Sequence, residues 1–145
     1  MADDGVMLKI ASAALQEMIA HCVKEKTVTG NEACGFLIGR DGVADRVQSM
    51  TNVHASPTSY ELNPVAQMVL QKQIRAIGLE IMAVYHSHVA TQAYPSRRDR
   101  DQATAIQDFF DGYYLLVSLE KERPIVRAFQ IRDLHVIEEE IHELS

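Results

Sequence analysis

Several features are scarce in this chain, and each scarcity removes a class of explanation. Only two cysteines, Cys22 and Cys34, occur among 145 residues. One falls in an expected helix and the other in an expected strand, so no disulfide framework is indicated. Both read as small buried apolar side chains in a reducing compartment. No apolar run approaches the roughly 20 residues that span a bilayer. The opening Met1-Ala2-Asp3-Asp4-Gly5 is acidic and has no apolar leader core. The expectation is a cytoplasmic protein with no membrane partner. Positive charge is also short: the net charge is −6, whereas a nucleic-acid binder presents a basic face. Repeats, low-complexity tracts and linkers are missing, which leaves a single domain over residues 1–145.

What is present is enough to fold unaided. A chain of this length buries roughly 68–70% of the surface its unfolded form exposes. Any metal is therefore expected to serve chemistry rather than folding. Met7 to Ile10 reads as a first strand, and Ser12 as the N-cap of a helix with Leu15, Met18, Ile19, Cys22 and Val23 on one face. Thr27 to Asn31 reads as a loop. Glu32 to Gly39 reads as a strand with Cys34, Phe36 and Ile38 on one side. Arg40-Asp41-Gly42 turns it into a returning strand, Val43 to Asn52. After an irregular His54 to Asn63, Asn63 caps a helix that has Pro64 at its first position. Ala66, Leu70, Ile74 and Ile77 form the expected buried face, and Gly78 ends it.

Leu79 to Tyr85 is apolar without alternation, as in a strand buried on both faces. Ser96 opens a short helix, Arg97 to Phe110. Tyr113 to Leu119 is a further strand, and Pro124 to Ile131 with Leu134 to Ile141 makes a closing hairpin. The fold class is therefore α/β (α+β-like): a mixed central sheet flanked by helices.

The chemistry gathers after the buried strand. His86-Ser87-His88 is followed by Ser96 and Asp99. In an extended segment His86 and His88 point to one face and can reach one ion. Asp99 on the next element makes a third ligand, and a water completes a hydrolytic site. The same residues also suit a plain helix cap and an acidic first turn, so spacing alone leaves both readings standing. Glu32, at the mouth of a second core strand, is either a general base or a solvated strand-end carboxylate. No Cys-x-x-Cys follows the histidines, which disfavours a zinc nucleoside deaminase.

Taken together, Glu32, His86-x-His88, Ser96 and Asp99 resemble the JAMM (MPN+) metalloprotease motif, and the resemblance covers nearly the whole chain. Val89 stands where many members carry proline. The resemblance implies a cytidine-deaminase-like architecture and one Zn²⁺ held by His86, His88, Asp99 and a water. It makes Glu32 the general base and Ser96 the oxyanion donor. The segment from His86 to Ser96, with Ser56 to Tyr60, is similar to small bacterial members of the family. Those peptidases free cysteine from the C-terminus of a ubiquitin-like sulfur-carrier protein.

The implied function is hydrolysis of the amide after a carrier's C-terminal Gly-Gly, which would serve cysteine biosynthesis or thiocarboxylate delivery to another product. The alternatives are an isopeptidase that removes ubiquitin-like modifiers from lysine, and a non-catalytic scaffold domain. A homodimer is compatible with the resemblance. The tail is expected to add as a strand at a sheet edge, with Tyr60 to Leu62 and Thr91 to Tyr94 lining its groove. Cys34 has no nucleophilic role in this scheme. His21, His54, His135 and His142 are expected to be surface or satisfied residues, and the Glu138-Glu139-Glu140 run a solvated strand end.

Overall fold

The computed structural model describes residues 7–145, so the acidic N-terminal pentapeptide lies outside the described residues. The element order is β1 (Met7–Ala11), α1 (Ser12–Val28), β2 (Cys34–Arg40), β3 (Val43–Met50), α2 (Pro64–Ala76), β4 (Glu80–His88), α3 (Arg97–Ala105), β5 (Tyr113–Ser118), β6 (Ile125–Arg132) and β7 (His135–Leu144). The expected mixed sheet with helices is observed. It runs β1-β3-β2-β4-β5-β6-β7 and closes on itself, because β1 pairs in parallel with both β3 and β7. No described helix is long and apolar enough to cross a membrane.

Alternation along the central strands separates two cores. On one face Leu37, Ala83, Tyr85, Leu115 and Val117 pack against Leu15, Met18 and Cys22 of α1. On the other, Cys34, Phe36, Val84, Tyr114 and Leu116 pack with Tyr60, Leu62, Ile74 and Ala103, under α2 and α3. His86 and His88 fall on this second face. The tight turns behave as their residues require: Asp41 and Gly42 take φ of 55° and 78°, and Asp133 and Leu134 take 50° and 68°, the left-handed pair of a two-residue hairpin.

Several boundaries differ from the sequence reading. Ser12 is not a cap. β1 passes straight into α1 through an extended Ala11 with no side-chain cap, and Ser12 Oγ instead donates to the Glu143 carboxylate at 2.6 Å. α1 absorbs Thr27 and Val28 and stops before Gly30, whose φ is 77°. β4 continues through the histidines, because β5 pairs with it as far as His88↔Ser118. α3 ends at Ala105, and residues 106–109 are turns.

The buried face of α2 is Gln67, Gln71 and Ile74, one position round from the expected stripe. Ala66 and Ile77 are exposed, while the Gln71 amide donates to the Phe109 carbonyl at 3.0 Å. Within the acidic run, Glu138 is held by a two-pronged pairing with Arg127 rather than by solvent alone.

Gly35 marks the closest approach of backbone to side chain near the site. A Cβ there would sit 2.5 Å from both the Gln48 carbonyl and the Tyr85 hydroxyl, and that hydroxyl is hydrogen-bonded to His21 at 2.6 Å. Gly35→Ala is expected to cost about 1–3 kcal/mol through overpacking, read as a lower urea midpoint with an unchanged m-value. A midpoint equal to that of the parent chain would show that both the Gln48 backbone and the Tyr85 ring yield freely.

Candidate active site

Three donor atoms converge at the end of β4. His86 Nε2 and His88 Nε2 are 3.3 Å apart, and Asp99 Oδ2 lies 3.1 Å from the first and 3.0 Å from the second. All three residues are buried, at 2%, 5% and 6% exposure. Two β-strand residues two apart supply the imidazoles, as the period requires. Asp99 is brought back by the cap of α3: Ser96 Oγ accepts from the Asp99 N–H at 3.1 Å, and the Ser96 N–H donates to Asp99 Oδ2 at 2.9 Å. The two serine–aspartate readings are therefore compatible, since one pair of residues makes both the capping box and the third corner of the triangle.

The triangle fits a small divalent cation. His88 Nδ1 lies 2.8 Å from the Gln92 carbonyl, which can only accept. His88 in its neutral form therefore carries its proton on Nδ1 and turns the Nε2 lone pair towards Asp99 Oδ2. Lone pairs this close need a positive charge between them. Ligand atoms about 2.0–2.1 Å from a tetrahedral zinc stand about 3.3 Å from one another, close to the separations here. Among the described residues this is the group whose side chains meet as metal ligands.

The protonation states of His86 and Asp99 suit that role, whereas His88 must give up a proton to the ion. Burial pulls the His86 pKa down and keeps the ring neutral, although Asp99 partly opposes this. Burial also works against ionisation of Asp99, but the His86 and His88 rings and the Ser96 N–H outweigh it, leaving the carboxyl well below the usual carboxylate range. For His88, burial is outweighed by the bonds to Asp99 and Gln92, and its pKa rises.

Glu32 joins this group from the neighbouring strand. β2 begins at Cys34 rather than at Glu32, but pairing persists beyond it: the Ser87 N–H donates to Ala33 O at 3.0 Å, and the Ala33 N–H to Ser87 Oγ at 2.8 Å. Extending the Cys34↔His86 register by two residues sets Glu32 opposite His88. Its side chain is 4% exposed and Oε1 has no hydrogen-bond partner. Burial, with Asp99 adding to it and His88 opposing, raises its pKa to about 8. The Ser96 side chain is exposed at the rim.

Two residues support the site in ways the sequence reading did not give them. Tyr60 is buried, and its ring stacks on His86 with centroids 4.0 Å apart and planes at 22°. Asn52 binds the Glu32 and Ser59 carbonyls through Nδ2, while its Oδ1 accepts from the His54 and Glu61 N–H groups. An asparagine directly after an alternating strand was the available signal. Tyr60, Glu61 and Leu62 line a pocket beside α2 and α3 that the triangle does not share, and Tyr94 is exposed, edge-on to Phe129.

Each strand also has a partner on both sides, so no strand offers the full-length free edge expected for tail docking. His21 is satisfied by Tyr85 and His54 by Glu61 and Arg98. Cys34 is fully buried, with its thiol pushed up to about 12 by burial.

A closed mixed sheet with a buried His-His-Asp triangle beside a glutamate defines a hydrolase of the JAB type. The family model for prokaryotic homologs of the JAB domain matches residues 11–132, a span containing every residue of the site, and the chain belongs to that family. It is 35% identical to the CysO-cysteine peptidase of Mycobacterium tuberculosis over 94% of this chain and 90% of that protein. It is 37% identical to a probable TtuB-protein conjugate cleaving protease of Thermus thermophilus, over 68% of this chain and 65% of that one. The solution structure of a Desulfitobacterium hafniense protein superposes with a TM-score of 0.76 at 31% identity, covering 96% of this chain and 93% of the other.

The raised pKa of Glu32 makes a stability prediction for the metal-free protein. Below its ordinary value of 4.5 the carboxyl is protonated whether the chain is folded or not. Between 4.5 and about 8 the unfolded chain loses the proton and the folded one keeps it, so stability falls as pH rises and levels off above that range. Glu32→Gln should therefore raise the melting temperature at about pH 8.5 and leave it unchanged at about pH 4. Equal melting temperatures at both pH values would mean that Glu32 ionises without penalty.

Proposed function

We propose that this chain is a zinc-dependent peptidase that hydrolyses the amide bond after the C-terminal Gly-Gly of a ubiquitin-like sulfur-carrier protein. The observation that carries the reading is the buried triangle of His86 Nε2, His88 Nε2 and Asp99 Oδ2, with an unpaired Glu32 oxygen beside it. These three residues would hold the ion. When bound, zinc supplies Lewis acidity, bringing the pKa of a water towards about 7 and polarising the scissile carbonyl.

The remaining steps belong to the chain's own groups. With a cation in the triangle the Glu32 carboxyl is drawn back to its ionised form, and Glu32 then takes the proton of the attacking water. Its desolvated surroundings hold that proton firmly until it passes to the leaving amine. Ser96 Oγ uses its lone pair on the Asp99 N–H, so its own proton is free to meet the developing oxyanion, a contact worth about 10²–10³ in rate. Gln92 fixes the tautomer of His88, and Tyr60 fixes the ring plane of His86. The thiol of Cys34 takes no part. The substrate class is supported by the CysO-cysteine peptidase similarity, which extends over nearly the whole of both chains.

A second reading, cleavage of lysine-linked conjugates, is supported by the likeness to the Thermus conjugate-cleaving protease. Incubation with a carrier ending in Gly-Gly-Cys, beside the same carrier joined to a lysine, separates the two. Glu32→Gln is expected to keep one zinc per chain and lose about 10²–10⁴ in kcat, whereas His88→Ala should lose both metal and cleavage. Cleavage by Glu32→Gln at the parental rate would remove Glu32 from the mechanism, and a chain that binds no zinc would overturn the assignment of the site.

A further inference from the structure

Between α2, α3 and the sheet lies a cavity of about 150 Å³, a size that accepts a benzene ring. His86, His88, Asp99 and Glu32 do not line it. Its walls include Tyr60, Leu62, Val84 and Ile106, and the polar side chains of Glu61, Gln67, Gln102 and Tyr114 share them. Gln67 is 3% exposed and Tyr114 5%. The Gln67 amide nitrogen and the Tyr114 hydroxyl oxygen are both buried without a hydrogen-bond partner.

Neighbouring amides find carbonyls for their NH₂ groups, although Gln71 Oε1 is itself unpaired. Gln102 Nε2 donates to the Tyr60 carbonyl at 2.7 Å, and Gln71 Nε2 to the Phe109 carbonyl at 3.0 Å. Buried polar groups are nearly always paired, so two orphans on one small cavity are an exception that an occupant would explain. Burial raises the pKa of the Tyr114 phenol and keeps it a donor.

We propose that this cavity binds a small neutral molecule with an apolar body and a carbonyl oxygen, such as an amide, ester or ketone, which accepts hydrogen bonds from Gln67 and Tyr114. A carbonyl oxygen has the two lone pairs that two donors need. An anion would lose its hydration against the walls of Leu62, Val84 and Ile106. Water alone would satisfy the donors but leave those walls wetted. The site is independent of the peptidase reading, although Tyr60 forms a wall of the cavity and also stacks on His86.

The test is a titration of the isotope-labelled full-length chain with benzamide, followed by NMR. Saturable shifts are expected at the methyl groups of Leu62, Val84 and Ile106 and at the side-chain NH₂ of Gln67. Toluene, which has no acceptor, and benzoate, which is charged, should bind at least about fivefold more weakly. Gln67→Leu and Tyr114→Phe should each weaken benzamide about five- to tenfold while leaving toluene unchanged, which also reports that the cavity is intact. The proposal is overturned if benzamide gives no saturable shifts at these residues, the result expected of a cavity that holds water only. It is equally overturned if both variants bind benzamide as the parent does.

Discussion

One carboxylate oxygen organises the site. Asp99 Oδ2 takes the Ser96 N–H and stands about equally far from two imidazole nitrogens. That arrangement joins the first turn of α3 to the end of β4, two elements whose relative position would otherwise rest on apolar packing. It also sets the charge balance. An ionised carboxylate, a ring held neutral by burial and a second ring whose Nδ1 is committed to the Gln92 carbonyl together make a dry corner that draws positive charge, a proton on His88 or a cation. Such a corner is unfavourable in isolation and favourable around a cation. The helix cap, the strand period and the burial therefore serve one end: holding three lone pairs in a geometry that water could not hold.

The parts of this arrangement that are local in the chain are legible in the sequence. His86 and His88 share a face because a strand has a period of two, and Ser96 with Asp99 announces a helix start three residues apart. The hairpin turn at Asp41-Gly42 and the cap at Asn63 are read for the same reason, while the last turn falls one residue later than expected, at Asp133-Leu134 with Leu134 outside the strand. Glu32 is different. Nothing between residues 32 and 86 says that β2 lies beside β4, since that pairing is settled by the whole sheet; only the resemblance to a known motif joined them. The end of β4 was misread because composition changes at Tyr85 while hydrogen bonding does not. Its true length is fixed by β5, a partner some thirty residues away.

The misreading of α2 has a more instructive cause. Hydrophobic periodicity assumes that the side chains facing the protein are apolar. Here Gln67 and Gln71 face inwards and Ala66 faces water, so the apolar stripe points about one position off the buried one. An inward glutamine is tolerated when it finds a carbonyl, as Gln71 does at Phe109. Ser12 fails as a cap for a comparable reason: where a strand enters a helix without a loop, the capping position belongs to the strand's last residue, and the serine becomes free to bind across to β7.

The two faces of the sheet carry unequal duties. The face under α1 is closed by aliphatic side chains and by Ser87, whose hydroxyl is spent on the Ala33 N–H; it keeps β2 and β4 in register and so holds Glu32 opposite His88. The other face carries the reactive corner, the cavity and the segment 51–63 that covers both. That segment is pinned by Asn52 at one end, and near the other by Glu61 and His54 against Arg98 on α3. Arg98 is the neighbour of Asp99, so the cover and the third corner of the triangle are anchored to the same helical turn. A change that loosened the cover would also unseat Tyr60 from His86. The orientation of the His86 ring is thus coupled to the cover through packing as well as to the Asp99 carboxylate.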